Sequence, residues 1–195
     1  MGVGDLKGVV MAGGKATRFG RPTEKALLEV NGKTLLHRAA EALRCESLDG
    51  VLVAITKENI GTRELADRIG IEIIITSGIG YHEDTLELID RLGRFVSLNV
   101  DVPFARVGHT ETLIMDAMEG SCAAVVPVEI AIGAIDPESV LVSPGGRRMV
   151  WAGLNVVSNE IETRLITIED PLLTININTE EDLAKANGIA AKRNL

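Results

Sequence analysis

The sequence predicts an α/β sandwich with a mainly parallel sheet, and three observations carry that reading. Short apolar runs rich in Val, Ile and Leu recur along the chain, as strands buried on both faces require. Between them lie segments whose apolar residues fall at helical spacing. Nearly half of the 195 residues are apolar but only 3% are aromatic, so the core is aliphatic. A chain of this length buries about 70% of its unfolded surface in one core, which suits a single domain over residues 1–195 without repeats or linkers.

Residues 6–12 read as a buried first strand that leads into a glycine loop. The apolar stretch 26–30 ends at Asn31-Gly32, a tight-turn signal. Leu35, Leu36, Ala39, Ala40 and Leu43 share one helical face, which predicts a helix over 34–45. A second strand is expected at 51–56, a helix near 62–69, and a third strand at 71–76 that ends in Ser77-Gly78-Ile79-Gly80-Tyr81. Leu86, Leu88, Ile89 and Leu92 mark the next helix, with Glu83 and Asp84 at its positive end.

The fourth strand, 95–100, runs straight into Asp101-Val102-Pro103, and a helix over about 110–118 and a strand at 122–128 follow. From 129 to 150 the alternation breaks down among Gly133, Asp136-Pro137 and Pro144-Gly145-Gly146-Arg147-Arg148. Such an excursion from the sheet is a place to grip an acceptor. Strands resume at 150–158 and 172–177. Thr179 then caps a closing helix with Glu180, Glu181 and Asp182 in its first turn and Lys192 and Arg193 in its last.

The formal net charge is −8, yet Lys15, Arg18, Arg21 and Lys25 crowd one loop against a single acid, Glu24. A cationic island in an acidic chain fits a small polyanion such as a nucleoside triphosphate. It does not fit general nucleic-acid binding, which needs cations over a broad surface. Cys45 and Cys122 each sit in an apolar context and read as buried thiols, which makes a reducing cytoplasm the expected location. No apolar run approaches the ~20 residues of a membrane span, and the N-terminus does not resemble a signal peptide.

Ligands of parallel sheets bind beyond the carboxyl ends of the strands, where the glycine loop, the 76–81 loop and Asp101 all fall. Gly13 and Gly14 let bare amides approach phosphate oxygens, although the loop has neither the Walker A offset nor the G-x-G-x-x-G spacing. Asp101 suits Mg²⁺, which takes one or two carboxylates and fills its other sites with water and phosphates; capping the following turn is its structural alternative. His37, His82 and His109 are scattered, and no nucleophile and base pair stands out. A phosphate acceptor needs none, because a phosphate monoester is mostly dianionic at neutral pH.

Met11-Ala12-Gly13-Gly14-Lys15-Ala16-Thr17-Arg18-Phe19-Gly20 followed by Glu24-Lys25 resembles the signature of nucleotidyltransferases that transfer a nucleoside monophosphate to a phosphate acceptor. Asp101-Val102-Pro103-Phe104 looks like their metal-binding loop, and the segment from Asn176 to Leu183 resembles their C-terminal motif. Within that superfamily, the stretches from Thr76 to Asp84, Trp151 to Ser158 and Leu173 to Leu183 are most similar to the archaeal GTP:adenosylcobinamide-phosphate guanylyltransferases. The molybdenum-cofactor guanylyltransferases share the loop, the Asp-x-Pro pattern and the Asn-Ile-Asn-Thr motif. Ala16 and Ala26 depart from the family's usual glycine and proline.

The resemblance implies a Rossmann-like, three-layer sandwich of the glycosyltransferase-A type that uses Mg²⁺ at Asp101, with GTP and a corrinoid phosphate as substrates. Arg18 and Lys25 would neutralise the triphosphate cradled by the amides of Ala12, Gly13 and Gly14. Thr76, Ser77, Gly78 and Gly80 would line the guanine and ribose pocket. Asp84 would accept from guanine or simply favour a helix N-terminus. Asn178 would hold the metal or acceptor, or cap a helix. Arg147 and Arg148 would grip the acceptor phosphate or lie in a solvated turn. The protein is expected to be a monomer or homodimer.

Overall fold

The computed structural model describes residues 6–14, 16–19, 23–117, 120–160 and 162–195. Strand β1 (Lys7–Met11) lies in the interior of the sheet, with Val9 and Val10 fully buried on its two faces. After the glycine loop come a short hairpin, β2 (Glu29–Val30) and β3 (Lys33–Thr34), and helix α1 (Leu35–Leu43). The Thr34 hydroxyl accepts from the His37 amide to start α1, and six of its nine residues are buried. Next are β4 (Val51–Ile55), α2 (Ile60–Ile69), β5 (Glu72–Ile75), α3 (Tyr81–Leu92), β6 (Phe95–Asn99) and α4 (Val107–Ala117). The chain closes with β7 (Ser121–Pro127), β8 (Val140–Val142), β9 (Arg148–Val157), β10 (Thr163–Thr167) and α5 (Glu180–Arg193).

The sheet runs β5-β4-β1-β6-β9-β7-β10, with β8 also paired to the start of β9. All pairings are parallel except the three made by β9. The fold is therefore the mixed α/β sandwich the sequence predicts. The larger core takes residues from α1, α2, α4 and α5 on one side of the sheet. Among the described residues α3 is the only helix in the smaller core on the other side, where Leu88 and Ile89 meet Val9, Leu52, Ala54, Ile74 and Phe95.

Two expectations need correction. Residues 172–177 are not a strand: Asp170 accepts from the Leu172 amide and starts a 3-10 turn, Pro171–Thr174, whose apolar side chains pack into the larger core. The last strand is instead β10, a polar and largely exposed edge strand. The excursion contains β8 and two 3-10 turns, and the Thr174 hydroxyl anchors it by accepting from the amides of Ile132 and Gly133.

Cys45 and Cys122 are free thiols, and burial pushes both above the ordinary thiol value. Among the described residues no helix is long and apolar enough to cross a membrane.

Candidate active site

Strands β4 and β5 lie on one side of β1 and β6 on the other, so the chain reverses its winding direction at β1 and opens a crevice there. Met11 is paired with Asn99, and the Val100 amide donates to the Met11 carbonyl at 3.1 Å. The glycine loop and the Asp101 turn therefore leave the sheet side by side. They form one wall of a cleft of about 400 Å³, whose lining includes Ala12, Gly13, Gly14, Arg18, Lys25 and Asp101. Gly78, Gly80 and Asp84 close it from the β5 side, and Asn178 from the segment just before the last helix.

Lys25 is the centre of the charge arrangement. Its Nζ donates to Asp101 Oδ2 at 2.6 Å and to Asn178 Oδ1 at 2.8 Å. Glu24, next in the chain, points the other way. Its carboxylate accepts from the amides of Gly61 and Thr62 at 3.0 and 2.7 Å and from the Thr62 hydroxyl at 2.5 Å. It thereby satisfies the first turn of α2, where amide donors lack helical partners. The sequence shows Glu24 as the lone acid among cations and as part of the Glu24-Lys25 motif, but not its partners, which lie far along the chain.

Asn178 is not the cap of the last helix. Thr179 and Asp182 form a reciprocal capping box, and Asp182 also accepts from the Asn178 amide at 3.0 Å. That leaves the Asn178 side chain facing Lys25.

On the opposite wall, Asp84 Oδ1 accepts from the Gly78 amide at 2.9 Å and the Ser77 hydroxyl at 3.3 Å, which fixes the 77–80 loop. The Ser77 amide is taken by Glu87 at 3.1 Å, and Thr76 is buried with its amide on the Ile55 carbonyl. Thr76 and Ser77 thus support the wall from behind, while Gly78 and Gly80 face the cleft.

A β-carbon on Gly14 would meet no protein atom within 4 Å, so packing does not demand glycine there. The space beside its α-carbon is open. Arg18 is exposed in a 3-10 turn held by buried Phe19. Ala16, where glycine is usual, adopts φ +45°, a left-handed conformation that a β-carbon resists. Lys15 and Arg21 lie outside the described residues.

Asp101 Oδ1 is buried without a hydrogen-bond partner. Among the described residues no three His, Cys, Asp or Glu side chains gather to hold a metal unaided. A single carboxylate lining a cleft of this size nonetheless fits Mg²⁺, which takes one or two carboxylates and draws its other ligands from water and phosphate.

A second cleft of about 440 Å³ adjoins the first and shares Tyr81 and Asn99 with it. It is the face of β7 and β9 that α3 leaves uncovered, lined by Trp151, Gly153, Asn155 and Val157 among others. Tyr81 keeps 53% of its surface exposed. Its phenol is nonetheless pushed above the ordinary tyrosine value, first by burial of that end and also by the Asp101 carboxylate, against the hydrogen bond with Ser97. It remains a protonated donor at neutral pH. Arg147 pairs with Glu129 at 2.7 Å and Glu169 at 3.4 Å, and neither it nor Arg148 lines either cleft.

A family model described as the MobA-like NTP transferase domain matches residues 8–137, which cover the glycine loop, the Asp101 turn and the start of the excursion. The chain belongs to this family. This NTP transferase chain is 27% identical over 96 residues to 2-C-methyl-D-erythritol 4-phosphate cytidylyltransferase of Clostridium perfringens, a match to 47% of this chain and 43% of that protein. It is 35% identical over 69 residues to a probable molybdenum cofactor guanylyltransferase of Thermococcus sibiricus, over 35% of this chain and 33% of that one. The chain spans less than half the length of these curated relatives. Among solved structures, CMP:2-keto-3-deoxy-manno-octonic acid synthetase complexed with CTP shares the fold at a TM-score of 0.70 and 14% identity, over 96% of this chain and 98% of that one.

Within this NTP transferase fold, sequence reading missed Tyr81, Asn99 and Glu24. Tyr81 and Asn99 stand at the ends of motifs that were read for their neighbours. Their position at the border of two clefts emerges only when β6, β9 and α3 are assembled.

Proposed function

We propose that this protein transfers GMP from GTP to the phosphate of adenosylcobinamide phosphate, releasing pyrophosphate and forming adenosylcobinamide-GDP. The observation that carries the transfer is the meeting of the glycine loop, Lys25 and Asp101 in one cleft that opens into a second at Tyr81 and Asn99. An acceptor phosphate oxygen attacks the α-phosphorus of GTP. The bond from that phosphorus to the bridging oxygen breaks, and pyrophosphate leaves with the electron pair. The acceptor needs no base because it is already mostly dianionic. Positioning and charge neutralisation supply the rate.

In this reading the amides of Ala12, Gly13 and Gly14 cradle the triphosphate, and Arg18 and Lys25 neutralise it. Gly78 and Gly80 border the nucleoside, with Asp84 holding their loop. Asp101 and Asn178 are the residues to hold Mg²⁺, which when bound supplies charge stabilisation for the phosphates. The second cleft is wide and carries Trp151 and Tyr81, which suits a large, partly apolar corrinoid.

The Thermococcus sibiricus relative favours a second reading, molybdopterin as the acceptor. A labelled-GTP transfer assay with adenosylcobinamide phosphate, unphosphorylated adenosylcobinamide and molybdopterin, and with ATP and CTP as competing donors, separates the two. Labelled adenosylcobinamide-GDP is the expected product. Guanylylation of molybdopterin alone would replace the acceptor, and preferred transfer from CTP would overturn the guanine half. Tight GTP binding without pyrophosphate release for any acceptor would make the protein a binder rather than a transferase.

A further inference from the structure

Among the described residues, buried side-chain oxygens without a hydrogen-bond partner occur at two places, Asn99 Oδ1 and Asp101 Oδ1. They lie two residues apart at the end of β6 and in the turn that follows, and both residues border the first cleft. A buried acceptor left unmade costs stability, and native folds seldom retain one without a use. Lys25 does not relieve either oxygen, since its bonds go to Asp101 Oδ2 and Asn178 Oδ1.

The Asn99 side chain is also held from behind. Gly153, at φ +69° in the middle of β9, brings its backbone so close that a β-carbon there would stand 3.1 Å from Asn99 Nδ2 and 3.0 Å from Val102 Cγ2. The amide is therefore wedged at the border of the two clefts.

One ligand would have to satisfy both oxygens. Asp101 Oδ1 calls for a positive charge, whereas the neutral Asn99 Oδ1 calls for a hydrogen-bond donor. A dianionic phosphate offers neither. A hydrated divalent cation offers both, because Mg²⁺ retains several of its waters and these donate. Resting on the metal reading of Asp101 given above, we propose that Asn99 is a positioning residue for that cation, its Oδ1 accepting from a metal-bound water while Asp101 ligates directly. Gly153 would serve the same end by fixing the Asn99 rotamer.

The test is Asn99→Leu, which keeps the side-chain shape and removes the amide. Its thermal midpoint without ligands should equal or exceed that of the unaltered protein, since an unpaired buried oxygen is gone. Mn²⁺ affinity of its GTP complex, read by electron paramagnetic resonance, should fall about tenfold, as loss of an outer-shell partner does. GTP binding without metal should not change, and Asn99→Asp, which keeps an acceptor oxygen, should retain Mn²⁺ binding. Unchanged Mn²⁺ affinity in Asn99→Leu overturns the proposal. So does a lowered midpoint with metal-free GTP binding weakened in parallel, which would mark Asn99 as structural. Mn²⁺ binding that survives in Asp101→Asn would instead overturn the metal reading of Asp101, and this inference with it.

Discussion

Lys25 and Asp101, 76 residues apart in sequence, form a part-buried ion pair at 2.6 Å, and Asn178 accepts from the same ammonium. Three distant segments thus converge on one nitrogen. Replacing Lys25 by Ala leaves the carboxylate without its cation and removes a charge aimed at the phosphates. Turnover should fall by about 10²-fold or more, and Asp101→Ala should abolish it. Steady-state kinetics on purified variants check this; near-normal turnover in Asp101→Ala would remove that residue from the metal role.

Glu24→Ala deprives the first turn of α2 of an acceptor for three donors. Loss of such a cap costs about 1–2 kcal/mol, measurable by urea unfolding. Because Glu24 also sets the chain direction into Lys25, turnover should fall with it. On a Lys25→Ala background the same substitution should cost stability but no further activity. An additive kinetic loss would show that Glu24 acts elsewhere.

Ala16→Gly should relieve the strain of its left-handed backbone. The gain is set by about 1–2 kcal/mol of steric relief, less about 0.5–1 kcal/mol for the greater freedom of unfolded glycine. Calorimetry should show an unchanged or slightly raised midpoint with activity retained, whereas Ala16→Val should weaken nucleotide binding. Equal nucleotide affinity in both variants would mean that the loop does not carry the site.

His109 is buried at the start of α4, accepting at Nδ1 from the Arg106 amide and facing Asp170 at 3.2 Å through Nε2. Burial pushes the imidazole below its ordinary value, and the Arg106 guanidinium adds to this against the opposing pull of Asp170. Below about pH 6.5 the unfolded chain therefore binds a proton that the folded one resists. The contribution is fully present above that pH and is lost as pH falls through the depressed folded value. The urea midpoint should drop between pH 7 and 5.5, and less so in His109→Gln. Parallel pH profiles would dismiss His109 as the source.

The central strands and α1 were legible because burial leaves a periodic trace in sequence. β10 left none, since Thr163–Thr167 is an exposed edge whose side chains need not be apolar. The apolar stretch ending at Ile177 misled for the opposite reason: it reports burial, while Pro171 and the Asp170 cap decide that the chain turns rather than extends. In the site, Gly13, Gly14 and Asp101 were readable because their chemistry is local. Glu24 and Asn99 acquire meaning only from partners on other elements, at Thr62 and Gly153.

The antiparallel course of β9 has a further consequence. Ala152, Leu154 and Val156 are buried in the larger core, while Trp151, Asn155 and Val157 alternate with them and line the second cleft. Trp151 and Asn155 belong to neither core and can be exchanged without altering core volume or any residue of the glycine loop, whereas Val157 also packs against the smaller core. On the proposed function, a new acceptor could be adopted by redrawing one side of a single strand. The donor side and the acceptor side of the proposed site would then be set by separate segments of the chain.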